Sequence, residues 1–373
     1  MKKLLLGTTA ILGAVSFASV AAADAPRVTV GGFIDFQAVQ VDEDQAPAGS
    51  NDYGFRNDTE IHFSVDGKTD AGLGYGAVVE LEADATLDST NSGENADRTY
   101  VYMDGMWGRF ELGTNTDAAT ALKVDASTIA RATGGIDGDW FRFVMAPTGN
   151  FIIRPDLPVS HGGSTTPGET ENAGKITYYS PSFSGLQLGL SYTPDTDARG
   201  QDTFGVGVGA NPAFTAAGLG VGYEDVFSGG LTYNRQFDQV ALGLSATGEY
   251  GDATAGGDDL EAYALGASVG LAGFSLAGSW GDIEGAASGD GDFWTVGAAY
   301  DFGAFGASVS WLDSEIEVVG GDNEFENLSF GVDYAVAPGM TPYAEVSLFD
   351  YNGNALLGDN DGTVFIVGTQ LAF

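Results

Sequence analysis

Apolar and polar residues alternate along almost the whole chain. In DTEIHFSV, Thr59, Ile61, Phe63 and Val65 share one face, while Asp58, Glu60, His62 and Ser64 share the other. LGYGAVVELEA repeats the pattern, with Leu73, Tyr75, Ala77, Val79, Leu81 and Ala83 set against Glu80 and Glu82. QVALGLSATGEY separates Val240, Leu242, Leu244 and Ala246 from Ser245, Thr247 and Glu249, and ENLSFGVDYAV separates Leu328, Phe330, Val332 and Tyr334 from Asn327, Ser329 and Asp333. The last stretch, GTVFIVGTQLAF, puts Phe365, Val367, Leu371 and Phe373 on one side and Gly368, Gln370 and Ala372 on the other. A period of two with one apolar and one polar face predicts strands, each with a dry side and a wet side.

The connections between these strands also alternate, short with long. Tight turns are expected at DGKTDAG, DGMWG, SPSFSG, FDQ, GLAG, DFGA and APGM. Long polar connections are expected at 42–55, 84–97, 114–173, 193–227, 251–259, 281–291, 313–325 and 351–361. Seven turns and eight loops imply sixteen strands in an antiparallel up-and-down meander, the last closing on the first near VTVGGFIDFQ. Strands of ~9–11 residues suit a bilayer. Aromatic residues gather at strand ends. Tyr192, Tyr250, Trp280, Trp294, Trp311 and Phe349 lie near the long loops, and Phe183, Phe237, Phe302, Phe305 and Phe373 near the turns. Two such belts around an aliphatic middle predict an all-β transmembrane barrel, closed because open sheet edges are not tolerated in hydrocarbon.

The N-terminus differs from the rest. A basic head, Lys2-Lys3, an apolar run from Leu4 to Val20 and the small residues Ala21-Ala22-Ala23 predict a signal peptide over 1–23, with residues 24–373 as a single barrel domain. The chain has no Cys, so no disulfide constrains it. Acid outnumbers base 52 to 14, for a net charge of -38, which excludes nucleic acid as a partner and favours cations.

RTYVYMDGMWGRFELG (Arg98 to Gly113) and NAGKITYYSPSFSGLQLGLSY (Asn172 to Tyr192) resemble strand-turn-strand units of the general diffusion porins of Gram-negative bacteria. The C-terminal strand with Phe365, Val367, Leu371 and Phe373 is similar to the sorting signal that this family presents to the outer-membrane assembly machinery; Leu371 stands where tyrosine is common. The acidic, short-turned style is similar to that of alphaproteobacterial members. The resemblance implies an outer-membrane homotrimer of sixteen-stranded barrels, surrounded by lipid, with the third long loop folded into each pore. It implies passive diffusion of ions and small hydrophilic solutes. The chain lacks the Pro-Glu-Phe-Gly element found in that loop of enterobacterial relatives.

The connection from Thr114 to Ala173 is the expected constriction loop, since its length exceeds an ordinary loop and it carries apolar residues to pack, among them Trp140, Phe141 and Phe151. Its charges are Asp117, Asp125, Asp137, Asp139, Asp156, Glu169 and Glu171 against Lys123, Arg131, Arg142 and Arg154. By parity Arg56, Asp58, Glu60, His62, Glu80, Glu82, Arg98, Tyr100 and Tyr102 face the lumen. Acid and base on opposite walls would set a transverse field at the neck. Alternatively, Arg56 and Arg98 form salt bridges with wall carboxylates. The acid surplus predicts cation preference.

No enzyme is expected: a Ser-His catalytic pair would need an oriented, lipid-facing site, whereas His62 faces the lumen by parity and His161 lies in the long loop. The Asp-rich stretches GDNDG, GDGD and GGDDLE offer oxygen ligands of the Ca²⁺ type, but none has a complete EF-hand pattern; no cofactor is expected. Two other readings stay open: a solute-specific outer-membrane channel, and a secreted acidic β-rich adhesin, which would need internal repeats that the chain lacks.

Overall fold

The computed structural model describes residues 24–46, 51–83, 96–147, 149–159, 173–196, 222–253, 258–285, 289–318, 320–354 and 358–373. The expected signal peptide lies outside them, as do His161, Glu169 and Glu171 of the long connection and part of GGDDLE.

The alternating segments form strands β1 (Asp24–Glu43), β2 (Tyr53–Lys68), β3 (Gly74–Glu82), β4 (Ala96–Gly105) and β5 (Gly108–Thr114). After the long connection come β6 (Gly174–Tyr179), β7 (Leu186–Asp195), β8 (Tyr223–Phe237), β9 (Val240–Ala253) and β10 (Leu260–Leu271). The chain then forms β11 (Phe274–Glu284), β12 (Gly291–Phe302), β13 (Phe305–Val318), β14 (Gly321–Tyr334), β15 (Met340–Asn352) and β16 (Asn360–Ala372). Among the described residues these sixteen strands make one closed sheet, each antiparallel to its sequence neighbours, with β16 closing on β1. At the seam Phe33 lies opposite Ala372, and Gly32 and Phe373 exchange backbone hydrogen bonds of 3.1 Å in both directions. Closure leaves no open edge.

All seven expected tight turns join neighbouring strands. Side-chain parity agrees at the seam: Phe365, Val367, Leu371 and Phe373 point outward, while Val364 and Ile366 are fully buried inside.

Two expectations need correction. The stretch 313–325 is not a long loop, because β13 and β14 run on to a tight hairpin with Val318 opposite Gly321. Alternation continues there, with Leu312 and Ile316 buried inside and Asp313, Glu315 and Glu317 exposed outside. The composition changed from apolar to acidic, but the ladder did not stop, so several strands exceed the expected length; β1 has 20 residues. Phe349, expected in the outer belt, points inward at 3 % exposure, and its neighbour Leu348 takes the outer position.

The interior holds two apolar clusters that pure alternation would not provide. In one, Trp140, Ile136, Phe151 and Ile153 of the long connection pack on Val39, Leu312, Phe325, Phe349, Tyr351 and Ile366 of the wall. Trp140 stacks against Phe325 at 5.5 Å and against Phe349 at 5.9 Å. In the other, Ala119, Leu157 and Val159 meet Tyr223, Val226, Leu260, Ala262 and Ile283. The connection therefore folds into the barrel, and burial of its own apolar residues holds it there.

Candidate functional site

The long connection follows a track of small polar residues on the inner wall. It starts with a short helix α1 (Ala118–Leu122) and continues through 3₁₀ turns at Ser127–Ile129, Gly135–Asp137 and Asp139–Phe143. Successive backbone N–H groups donate to the wall: Ala118 to Ser191 of β7 (2.8 Å), Val124 to Ser245 of β9 (2.9 Å) and Ala126 to Thr295 of β12 (3.3 Å). Arg131 then donates to Ser308 (2.8 Å) and Ile136 to Ser310 (3.2 Å), both on β13. On the return, Ser314 donates to the Ile152 carbonyl and Asn323 to that of Asn150, while Val159 N–H donates to Glu249. Buried backbone groups need such partners, and here the barrel supplies them.

Glycines give the track its depth. A Cβ on Gly266 would overlap the Val124 carbonyl, and one on Gly297 would come within 2.9 Å of the Ala126 methyl. Only an absent side chain lets the loop backbone lie this close to the strands.

The tip is held by a carboxylate. Glu345 on β15 is 1 % exposed and accepts from Thr133 N–H (3.2 Å), Thr133 Oγ1 (2.6 Å) and Gly135 N–H (3.2 Å). The backbone there is tightly wound, with positive φ at Ala132 (59°), Gly134 (125°) and Gly135 (67°). Such a turn aims successive N–H groups at one anion. Thr133 Oγ1 in turn accepts from Asp139 N–H at 3.1 Å, so the tip sets the position of Asp139.

Asp139 joins the loop to the first two strands. Its carboxylate accepts from Gln37 of β1 at 2.6 Å and pairs with Arg56 of β2 at 3.4 Å and Arg142 at 3.2 Å. Gln37 also donates to Tyr343 Oη (3.1 Å), which donates to Asp35 (2.7 Å). The inner faces from β7 around to β1 thus carry the loop, and those of β2 to β5 face it.

Arg56 also bonds Asp58 at 3.1 Å. Glu60 and His62 make contact at 2.7 Å, and Arg98 pairs with Glu80 at 3.4 Å and Asp97 at 3.8 Å. Tyr102 is buried, donates to Asp66 and lies under the Arg109 guanidinium at 3.8 Å; Tyr100 precedes it on the same face of β4. Glu82 lies opposite Glu60, within reach of it and of Asp58.

Within the loop, Asp117 and Asp125 are consumed locally. Asp117 is fully buried and caps α1 through Ala119 N–H at 2.7 Å, while Asp125 accepts from Ser127 N–H at 2.7 Å and pairs with Lys123. Lys123 also bonds Asp137 and Asp156. Burial alone would lower its ammonium, yet the carboxylates of Asp125, Asp156 and Asp137 hold it well above the ordinary lysine range. Arg154 pairs with Asp137 at 3.6 Å and stacks on Phe141 at 3.9 Å, with Arg142 over the same ring at 5.3 Å. Arg131 reaches Asp301 and Asp333 at the wall. Among the described residues the basic groups Arg56, Arg98, Lys123, Arg131, Arg142 and Arg154 each lie against at least one carboxylate. Arg98 makes the wall salt bridge of the alternative with Glu80, whereas Arg56 is shared between Asp58 of the wall and Asp139 of the loop.

Glu345, Gln37, Tyr343 and the hydroxyl track are absent from the sequence-based set. Inward parity marks Glu345 as lumenal, but nothing in the sequence pairs it with a segment 210 residues away.

A family model described as Gram-negative porin matches residues 7–354. The chain is 26 % identical to an uncharacterized protein of Rickettsia typhi over a 459-residue alignment that covers all of both chains. It is 27 % identical to outer membrane porin protein 32 of Delftia acidovorans over 240 residues, 62 % of this chain and 63 % of that one. Among solved structures, the anion-selective porin from Comamonas acidovorans superposes with a TM-score of 0.63 at 17 % identity, covering 94 % of this chain and 100 % of that one. A mutant porin of Rh. blastica gives a TM-score of 0.60 at 19 % identity, covering 93 % of this chain and all of its own. These identities carry the fold and nothing finer.

Proposed function

Since the chain belongs to the Gram-negative porin family and is a passive outer-membrane channel, not an enzyme, we propose that its pore prefers cations among the ions and small hydrophilic solutes it passes. One observation carries this reading. The wall facing the loop bears Asp58, Glu60, Glu80 and Glu82 on two adjacent strands, against Arg56 and Arg98, each already joined to a carboxylate. A cation moving along β2 and β3 meets unbalanced negative charge. An anion would need free basic groups, and among the described residues Lys123, Arg131, Arg142 and Arg154 of the loop are also held by carboxylates.

The loop, the 24–373 single domain and the leader 1–23 complete this reading, with the loop as the constriction. The reading includes a homotrimer and insertion by the assembly machinery through the outward face of β16, with membership of the porin family as its support. Reversal potentials across a KCl gradient test the selectivity: a potential of the sign expected for K⁺ is the predicted result, and the opposite sign overturns it. Resistance of a larger species to cold detergent, lost on boiling, tests the trimer.

The Comamonas relative is anion-selective by its own description, so selectivity does not follow from the fold.

A further inference from the structure

We propose that the pore wall carries a binding site for a divalent transition-metal ion, formed by Glu60 and His62 of β2 and Glu80 of β3. Alternation sends Glu60 and His62, two residues apart, to the same lumenal side. The register sets His62 opposite Glu80 and Glu60 opposite Glu82. One ligand atom from each of Glu60, His62 and Glu80 lies within 4.8 Å of the other two, and His62 Nε2 is 2.7 Å from Glu60 Oε2. A zinc-sized ion sits ~2.0–2.2 Å from nitrogen and oxygen donors. Donors within 4.8 Å of one another lie near the spacing that one shared ion of this size requires.

The donor set selects the ion. One imidazole with two carboxylates suits Zn²⁺, Ni²⁺ or Cu²⁺, whereas Ca²⁺ and Mg²⁺ take oxygen and gain nothing from His62. The Phe33 ring stands edge-on to His62 at 6.3 Å and 86°. Three protein ligands would leave a position open for water from the lumen. The side chains are partly exposed, at 32 % for His62, 19 % for Glu60 and 15 % for Glu80, so an ion in the channel reaches them.

A second observation comes from the pairing of the strands. Glu60 and Glu82 are cross-strand partners, and Asp58, Glu60 and Glu82 also crowd together. Like charges directly opposite one another destabilise a sheet. A cation on Glu60 relieves this pair. Binding also competes with Arg98, which holds Glu80 at 3.4 Å, so metal uptake turns a guanidinium away from the wall. An occupied site therefore adds positive charge to the lumen and lowers both cation conductance and cation preference. This inference rests on the lumenal placement of the three residues and not on the proposed sign of selectivity.

The test uses the purified full-length channel, titrated with ZnCl₂ in detergent by calorimetry and recorded as single channels in a bilayer. The expected result is one Zn²⁺ per chain and a conductance step down that EDTA reverses. His62→Ala and Glu80→Gln should each raise the Kd at least about tenfold, or ~1.4 kcal/mol. Because a lumenal change can impair assembly, His62→Gln is recorded beside them; it should still insert and conduct in the absence of metal, and lose the Zn²⁺ response. Unchanged Zn²⁺ binding in His62→Ala, or Ca²⁺ acting as strongly as Zn²⁺, overturns the site and leaves only charge screening by carboxylates. A cation-selective wild type that ignores Zn²⁺ defeats this site alone. An anion-selective wild type that Zn²⁺ blocks defeats the selectivity reading alone.

Discussion

Arg56 of β2 and Asp139 of the interior loop meet at 3.4 Å, where the loop has passed along the inner wall and reached the strands that face it. Arg56 is shared with Asp58, and Asp139 with Gln37 and Arg142, so this contact joins loop and wall in one network. Arg56→Ala leaves Asp58 and Asp139 without that shared cation. The K⁺ over Cl⁻ permeability ratio should then rise by up to roughly fivefold, equivalent to ~1 kcal/mol. Bi-ionic reversal potentials measure it; a fall in the ratio would count against the network as the electrostatic neck.

Glu345 should govern how firmly the tip is held. Replacing it with Ala removes the acceptor of the half-buried Thr133 N–H and leaves the buried Gly135 N–H unsatisfied, the latter at a cost of ~1–3 kcal/mol. The barrel wall needs none of these bonds. The variant should assemble, yet show noisy current with a raised or fluctuating conductance. Steady wild-type traces would mean that Trp140 packing alone fixes the tip.

Lys123 gives a pH dependence with a definite sign. Its folded-state pKa is raised, so its contribution is complete below the ordinary lysine value and is lost as pH climbs through the raised one. Loop anchoring should persist past the pH at which a free lysine titrates. Lys123→Met removes the shared cation from Asp125, Asp137 and Asp156, a change on the scale of the ~3–5 kcal/mol seen when a buried ion pair is broken. Protease sensitivity of the loop at neutral pH should increase; an unaltered digestion pattern would refute the anchoring role.

Most of the barrel was legible because its signal is local. Parity assigns Phe365 outward and Glu60 inward from neighbours two residues apart, and the turn sequences mark each reversal. The hairpin joining β13 to β14 was hidden because Glu315 and Glu317 resemble loop residues, although they occupy the outer face of a continuing strand. Phe349 was misplaced for a related reason. Residue type suggested lipid, while its parity and the partner Trp140, far away in sequence, put it inside. The anchoring was illegible. Ser245, Ser308 and Ser310 look like ordinary wet-face residues until the loop is seen lying on them.

Gly266 allows a steric test of that track. Alanine there would drive its Cβ into the Val124 carbonyl oxygen, which is backbone and cannot rotate away. The loop must shift toward the lumen, while the outward face of β10 is untouched. Gly266→Ala should lower single-channel conductance and leave membrane insertion unchanged. Wild-type conductance would show that the loop moves along the wall without narrowing the passage.

The salt dependence of selectivity separates the wall from the rest of the acidic surface. Asp58, Glu60, Glu80 and Glu82 lie on the lumenal face, whereas Glu315, Glu324 and Glu326 lie on the outer face of β13 and β14. A charge is felt over ~8 Å at 0.15 M salt but only ~3 Å at 1 M. Ions in the pore pass the first group closely and are separated from the second by the barrel wall. Raising KCl from 0.1 to 1 M, roughly the range over which the screening length falls threefold, should weaken cation preference without abolishing it. Neutralising the four wall acids should remove most of what remains at 1 M, and neutralising the three outer acids should leave that residue intact. If the outer triple substitution abolishes selectivity at 1 M while the wall substitution does not, the carboxylates of β2 and β3 do not set the preference.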